Sequence, residues 1–433
     1  MLMKLAVSNN RRFLIHEDGT PFFYLGDTAW ELFHRLNREE ADIYLRNRAE
    51  KKYTVIQAVV LAEFDGLNTP NAYVQTPLHS NDPTRPNEIY FRHVDWIVDR
   101  AAELGIWMGM LPTWGDKWNA KWGKGPVIFT PQNAAVYGEF LGHRYRDKPI
   151  IWIMGGDRPV ESEEQRSIMN SMAGGIKRGD NGQHLMTFHP SGRSSSSQYF
   201  HDADWLDFNM MQSGHRGRNT ANYEMIAHDY ALTPTKPCMD GEPCYEDHPV
   251  MGGDEPREPY HDEYSVRKAA YWGLFAGAHG HTYGCHDIWQ MWDESRQIIN
   301  GVRTPWQKAV DLPGAGQMQH ARKLMESRPF LVRIPDQSLI VGDEGSGGKH
   351  IQATRAQDGS YAFVYIPAHQ TVTLDLGKIS GDVLNVSWYD PRQGTAQQAD
   401  DVKSQGQQSF TPPAEGPDWV LVLDDAAKSY PAM

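Results

Sequence analysis

Ile150-Ile151-Trp152-Ile153-Met154-Gly155-Gly156-Asp157 is a short apolar run that ends in two glycines and an acid. It reads as a buried strand whose last residues leave the sheet in a tight turn. The stretch before it, AAVYGEFLGHRYRDK (134–148), carries apolar residues three and four apart, as a helix resting one face on a sheet does. The next apolar run, HLMTFHP (184–190), begins only after another helix-like stretch. Working outward in both directions, the same unit recurs. The runs are FFYLGD (22–27), VIQAVVLAEFDG (55–66), IWMGMLPTWGD (106–116), IIWIMGGD (150–157), HLMTFHP (184–190), LDFNMMQSG (206–214), KPCMDGEP (236–243) and GAHGHTYGCHD (277–287). Eight βα units over roughly 300 residues predict a (β/α)8 barrel of the α/β class rather than an open doubly wound sheet. No Gly-x-Gly-x-x-Gly follows the first run, which removes the main support for a nucleotide fold.

An N-terminal hairpin is expected ahead of the barrel, with RRFLIH and PFFYLG flanking Glu17-Asp18-Gly19, and with Asp27 or Thr28 capping a helix that contains Ala29, Leu32 and Phe33. The segment 312–330 reads as the last helix, stopped at Arg328-Pro329. Beyond it, SLIVG, HIQATRA, YAFVYIP, QTVTLDLG, VLNVSWYD and DWVLVLDD alternate with turn-formers and predict an antiparallel β-sandwich. The chain therefore divides into a barrel with its hairpin, 1–330, and a C-terminal domain, 331–433.

Composition narrows the function. The 433 residues hold 42 Lys and Arg against 55 Asp and Glu, a net charge of −13 that repels a polyanion, and the densest basic stretch, Arg92 to Arg100, is broken by Asp95 and Asp99. Nucleic acid is excluded as the expected partner. No window is long and apolar enough to span a bilayer, and the first residues lack the apolar core of a secretory signal, so the expected location is cytoplasmic unless a signal peptide has been removed. Three cysteines (Cys238, Cys244, Cys285) form no disulfide framework and read as buried thiols. The composition is also unusual in its 14 Trp.

In a barrel, chemistry sits at the carboxyl ends of the strands. Two acids there stand out: Asp157 after the fourth run and Glu242 after the seventh. If both face the mouth, one can protonate a group while the other attacks or directs water. The competing readings are an N-cap of the helix begun by ESEEQ for Asp157 and a surface turn acid for Glu242. Asp27, Trp30, Glu63, Trp114, His189, Gln212, Asp240 and His281 are the candidate substrate contacts. Asp27 and Asp240 read equally well as acids that cap the core. Trp30, Trp114, Trp118, Trp122, Trp289 and Trp292 fall just beyond strand ends, where their rings would offer apolar faces to sugar C–H groups, with core packing as the bland reading of any one.

His279 and His281, two apart, leave a metal site open, but neither His-Glu-x-x-His nor a paired-cysteine motif occurs. There is no Gly-x-Ser-x-Gly elbow, and a Cys238 or Cys244 nucleophile beside His248 rests on spacing alone. No cofactor and no metal is expected.

The strings Phe23-Tyr24-Leu25-Gly26-Asp27-Thr28-Ala29-Trp30, Trp152 to Asp157 and Asp240-Gly241-Glu242-Pro243-Cys244-Tyr245-Glu246 resemble the apiosidase-like glycoside hydrolases, glycoside hydrolase family 140 and its relatives. The resemblance spans both domains and implies a (β/α)8 catalytic barrel followed by a β-sandwich that carries a collagen-binding label. It implies that Asp157 is the general acid and Glu242 the nucleophile or base, the pair also reached from the residues. It further implies an exo-acting enzyme on a plant or microbial glycan, since the family's characterised activity releases apiose from a pectic side chain. Relatives often carry an export signal, which is not expected here, so the expected substrate is an imported oligosaccharide or small glycoside. Strand-four and strand-seven acids favour retention of anomeric configuration, as in the wider group of retaining barrel glycosidases. The alternatives are a non-catalytic glycan-binding protein and a metal-dependent hydrolase on the same barrel.

Overall fold

The computed structural model describes residues 3–251 and 260–433. The eight runs supply eight parallel strands: β1 (Tyr24–Thr28), β2 (Val55–Leu61), β3 (Trp107–Thr113), β4 (Ile150–Gly155), β5 (Met186–His189), β6 (Asn209–Gln212), β7 (Cys238–Asp240) and β8 (Gly280–Tyr283). Their hydrogen-bonded order is β5-β4-β3-β2-β1-β8-β7-β6. Between β5 and β6 the barrel closes without a regular ladder: the Asp207 amide donates to the Met186 carbonyl (2.8 Å) and Thr187 Oγ1 to the Phe208 carbonyl (2.7 Å).

Helices α1 (Arg38–Glu50), α2 (Glu88–Glu103), α3 (Pro131–Tyr145), α4 (Glu163–Gly179), the short α5 (Ser197–Phe200), α6 (Asn222–Ala231), α7 (Glu263–Phe275) and α8 (Pro313–Glu326) follow the strands in turn. Local chemistry starts them. Asn37 and Glu40 form a reciprocal capping box on α1, Thr130 caps α3 with proline at its first position, and Ser162 caps α4.

Strand pleating decides which side chains reach the barrel interior. Tyr24, Val55, Val59, Leu111, Ile151, Ile153, Met210 and Met239 fill it, while their neighbours Leu25, Ile56, Met110, Trp152 and Met154 pack outward against the helices. The hairpin is observed as Leu14–His16 paired with Pro21–Phe22, with Leu5–Val7 added as a third strand. The expected cap at Asp27 or Thr28 is not made. Both residues remain in β1, and the short helix Leu32–Arg35 starts from Glu31 without a side-chain cap.

The C-terminal strands are β9 (Arg333–Pro335), β10 (Gln352–Ala356), β11 (Tyr361–Ile366), β12 (Val372–Asp375), β13 (Val383–Asp390), β14 (Thr395–Gln398), β15 (Val402–Lys403), β16 (Gln407–Phe410) and β17 (Trp419–Asp425). The main sheet runs β9-β10-β11-β17-β13-β14 with β15 also on β13, and β12 and β16 form a small second sheet. SLIVG is not a strand: Gln337–Leu339 is a turn of 3-10 helix begun by Asp336. Four elements absent from the apolar pattern, β9, β14, β15 and β16, are two to four residues long, and β14 and β16 are almost wholly polar, so no alternation announces them.

One face of the main sheet covers Val364, Val386, Leu421 and Leu423 under the small sheet. Its other face docks on the barrel. Tyr365 stacks on Tyr271 of α7 with centroids 5.0 Å apart, and Arg267 holds Asp418 in a bidentate, fully buried pair (2.9 and 2.7 Å) that Tyr365 Oη joins at 3.0 Å. Removing one member leaves a buried charge without its partner. We therefore expect Asp418→Ala to cost about 3–5 kcal/mol in denaturant-induced unfolding. A loss no larger than the under ~1 kcal/mol of an exposed pair would show that this interface does not couple the domains.

Candidate active site

The β4 run fixes the first acid. Gly155, Gly156 and Asp157 have φ of 94°, 99° and 58°, so the chain leaves the strand through three successive left-handed residues. A Cβ on Gly155 would lie 2.4 Å from the His189 carbonyl oxygen, and one on Gly156 2.8 Å from the Gly115 nitrogen. Only glycine fits there. Asp157 tolerates the left-handed region better than a β-branched residue would, and its side chain, 24% exposed, opens onto the mouth. Ser162, not Asp157, caps α4. Asp157 Oδ2 accepts from Arg158 Nη1 (3.0 Å) and Trp122 Nε1 (3.2 Å). Crowding by protein and then the charge of Glu242 raise its pKa, outweighing the opposing pull of Arg158 and His189.

Glu242 lies two residues beyond β7 and is buried. His215 Nε2 sits 3.0 Å from its Oε1. His189 Nε2 lies 2.9 Å from Oε2, off the line of a well-formed hydrogen bond. Burial alone would raise this carboxyl, but the two imidazoles overcome it and hold the pKa down to about 2. The imidazoles are themselves placed by rings. His189 packs against Trp30 (5.3 Å) and Trp114 (6.3 Å), and His215 lies between Tyr245 and His248, each 4.3 Å away. The Tyr245 hydroxyl faces Glu242, Thr28 and Trp30 without closing a hydrogen bond to any of them.

Two carboxyls thus meet at one mouth with opposite proton affinities: Asp157 raised, Glu242 lowered. Such a division lets one act as an acid while its neighbour stays ionised.

Glu63, two residues beyond β2, joins the Asp157 side. Glu31 lies behind it, clamped by His34 and Arg35, and accepts the Glu63 amide at 3.1 Å. Burial and then the charges of Glu31 and Asp157 push Glu63 up to about 8, so near neutral pH it presents a protonated carboxyl that can donate to a substrate oxygen. Gln212, at the end of β6, keeps a buried Oε1 with no protein partner beside the same opening.

The structure places the other expected contacts as follows. Asp27 points away from the mouth: its carboxylate takes Arg48 Nε and Tyr44 Oη of α1, both at 2.5 Å, and is fully buried. Asp240 is likewise turned outward, accepting from Ser213 Oγ (2.7 Å) and Asn222 Nδ2 (3.1 Å). His281 lies beside Asp240 in register on β8, buried with its Nε2 unpartnered, and burial pushes its pKa down to about 3. His189 serves Glu242 rather than open solvent. Trp30 and Trp114 are 2% and 3% exposed and form the wall behind it. Trp118 is spent on the Gly155 carbonyl (3.0 Å), and Trp289 and Trp292 are buried. Of the six tryptophans beyond strand ends, Trp122 alone is exposed.

Residues that sequence reading did not single out are Glu31, Tyr245 and Asp116. The only sequence signal for Tyr245 was its place three residues after Glu242. Among the described residues no cluster of three or more His, Cys, Asp or Glu is arranged to hold a metal ion. His279 packs between Tyr24 (6.1 Å) and Phe208 (5.2 Å) instead. Burial pushes the Cys244 thiol up to about 12, which removes it as a nucleophile. A cleft of about 540 Å³ opens elsewhere, where Trp107, Ile150 and Leu185 begin their strands, at the opposite end of the barrel from Asp157 and Glu242.

Residues 8–332 match the family described as "Apiosidase-like, catalytic domain", and residues 334–424 match "Putative collagen-binding domain of a collagenase". A search of curated proteins gave no match. Among solved structures, a glycoside hydrolase is 36% identical with a TM-score of 0.91, the alignment covering 99% of this chain and 98% of the other. A glycoside hydrolase of family 5 from Bacteroides vulgatus is also 36% identical, with a TM-score of 0.90, over 99% of this chain and 94% of that one. A more distant glycoside hydrolase structure from the same organism shares the fold at 14% identity (TM-score 0.71), over 98% and 82% of the two chains. With carboxyls at the ends of β4 and β7 of a (β/α)8 barrel and with these matches over both domains, the chain is a glycoside hydrolase and belongs to the apiosidase-like catalytic-domain family.

Proposed function

We propose that the protein is a retaining exo-glycosidase of the family 140 type, acting on a plant or microbial oligosaccharide, with Asp157 as acid and base and Glu242 as nucleophile. The observation that carries this reading is that Asp157 and Glu242, just beyond the ends of β4 and β7, stand at one barrel mouth close enough for the charge of Glu242 to act on Asp157. In the first step the ionised Glu242 attacks the anomeric carbon, while the Asp157 proton passes to the departing glycosidic oxygen and the leaving alcohol is released neutral. Glu242 is then an uncharged ester. The charge that raised Asp157 has gone, so Asp157 becomes a better-defined carboxylate and a base. It takes a proton from water as that water attacks the same carbon, and the ester bond to Glu242 breaks. His215 and His189 serve both ends of the cycle by stabilising the carboxylate that enters and leaves it.

The test is a panel of aryl furanosides and pyranosides, with the anomer of the first-formed product read by proton NMR. We expect turnover of at least one sugar with net retention. Inversion would overturn the nucleophile assignment, and binding across the panel without turnover would overturn catalysis on these sugars.

A further inference from the structure

Trp122 combines features that packing does not explain. It is a bulky aromatic at φ 37°, a conformation that side chains of its size rarely adopt, and it is 63% exposed. Yet its loop is held firmly. The Asp116 carboxylate, fully buried, accepts the amides of Lys124 (3.1 Å) and Gly125 (2.9 Å). Gly123 lies so close that an added Cβ would come within 2.1 Å of Asp116 Cβ. Asn119 Nδ2 reaches the Pro159 carbonyl at 3.0 Å, and Lys121 pairs with Glu161, so the loop is also tied to the segment after β4. The indole backs onto Arg158, whose Cζ is 4.9 Å from the ring centroid, and donates Nε1–H to Asp157 Oδ2.

From this geometry we infer that Trp122 is a specificity-determining residue for the leaving group: its ring is the platform on which the departing portion of the substrate rests, and its N–H directs the catalytic proton to Oδ1 of Asp157. The inference rests on the glycosidase reading above. Arg158 and Trp122 both donate to Oδ2, so a proton on that oxygen would weaken two hydrogen bonds. Oδ1 is the oxygen left to carry it. A group bonded to the glycosidic oxygen beside Oδ1 then lies next to the indole, and an aromatic face suits either an aryl ring or the C–H face of a sugar. The strained backbone of Trp122 and the Asp116 clamp keep that face in place before substrate arrives, so no ordering cost falls on binding.

Two variants separate the ring from the N–H. Trp122→Ala removes both, and Trp122→Phe keeps a ring. For the sugar identified by the panel, kcat/KM is compared for an aryl glycoside and for the glycosyl fluoride, whose leaving group has no ring and needs no protonation. Trp122→Ala is expected to lose about tenfold more on the aryl glycoside than on the fluoride, with Trp122→Phe between it and the parent. Equal losses on the two substrates, or none, would overturn the platform. In parallel, carbon-13 NMR of aspartate-labelled protein reads the Asp157 carboxyl: in Trp122→Phe its pKa is expected to rise, since a donor to the charged form is lost. An unchanged titration would overturn the proton-directing role. If the parent protein hydrolyses no glycoside, the leaving-group assignment falls together with the glycosidase reading, while the titration still reports whether Trp122 grips Asp157.

Discussion

Glu242→Gln is expected to lower kcat by on the order of 10⁴–10⁶-fold on every glycoside, activated or not, because loss of the attacking group leaves only the rest of the site to act. The substitution keeps the shape of the side chain and its place between His215 and His189. It removes the charge. The same variant changes its neighbour: Glu242 is the largest electrostatic cause of the raised Asp157 pKa, so Asp157 should titrate at lower pH in Glu242→Gln, measured by carbon-13 NMR of the carboxyl. In Glu242→Ala, added azide should restore turnover of an activated glycoside and give a glycosyl azide of inverted configuration, since the small anion enters from the face the carboxylate has vacated. Near-parental turnover by Glu242→Gln would rule it out as the nucleophile.

For Asp157→Ala, the effect should depend on the leaving group. A general acid contributes roughly 10²–10⁴-fold, and that loss should appear in kcat/KM for oligosaccharides and other poor leaving groups. With a dinitrophenyl glycoside the first step needs little protonation, so kcat/KM should fall far less. The missing base should then make deglycosylation slow, visible as a burst of released phenol followed by a low steady rate.

The pH profile carries the same assignment. As the proposed acid, Asp157 would work only while protonated, so kcat/KM is expected to fall as pH rises through its raised pKa. As the proposed nucleophile, Glu242 would attack only while ionised, so the acidic loss is expected near its pKa of about 2. In Asp157→Ala the alkaline limb assigned to Asp157 should disappear. Equal losses on good and poor leaving groups, with that limb intact, would place the proton donor elsewhere.

Much of this is legible in the amino-acid sequence. Apolar runs that stop at glycine and acid mark strand ends, and eight of them in βα alternation leave the barrel as the natural closure. Asp157 and Glu242 stand at two of those ends with glycine beside each, a placement that the runs alone display. Tryptophan excess was less informative. The rings gather around the mouth, but Trp30, Trp114 and Trp118 are consumed in its walls, because a large ring near a carboxylate cluster also excludes water from it. Polar strands β14 and β16 had no periodic pattern to be read.

The sequence by itself determined the number of barrel strands, the order of the domains and the two acids at the ends of β4 and β7, since these depend on local composition and on residues adjacent in the chain. Only the tertiary structure decided which side chains face the mouth. Successive strand residues point to opposite sides, so one position separates a group at the opening from one sealed against a helix. Asp27 lies on the sealed side with Arg48, and Asp240 with Asn222. The protonation of the pair was equally beyond the sequence. Apart from Arg158 beside Asp157, it depends on His189, His215 and Trp122, and the raised pKa of Glu63 depends likewise on Glu31 and Asp157, groups distant along the chain whose fields act only at the separations that the closed barrel imposes.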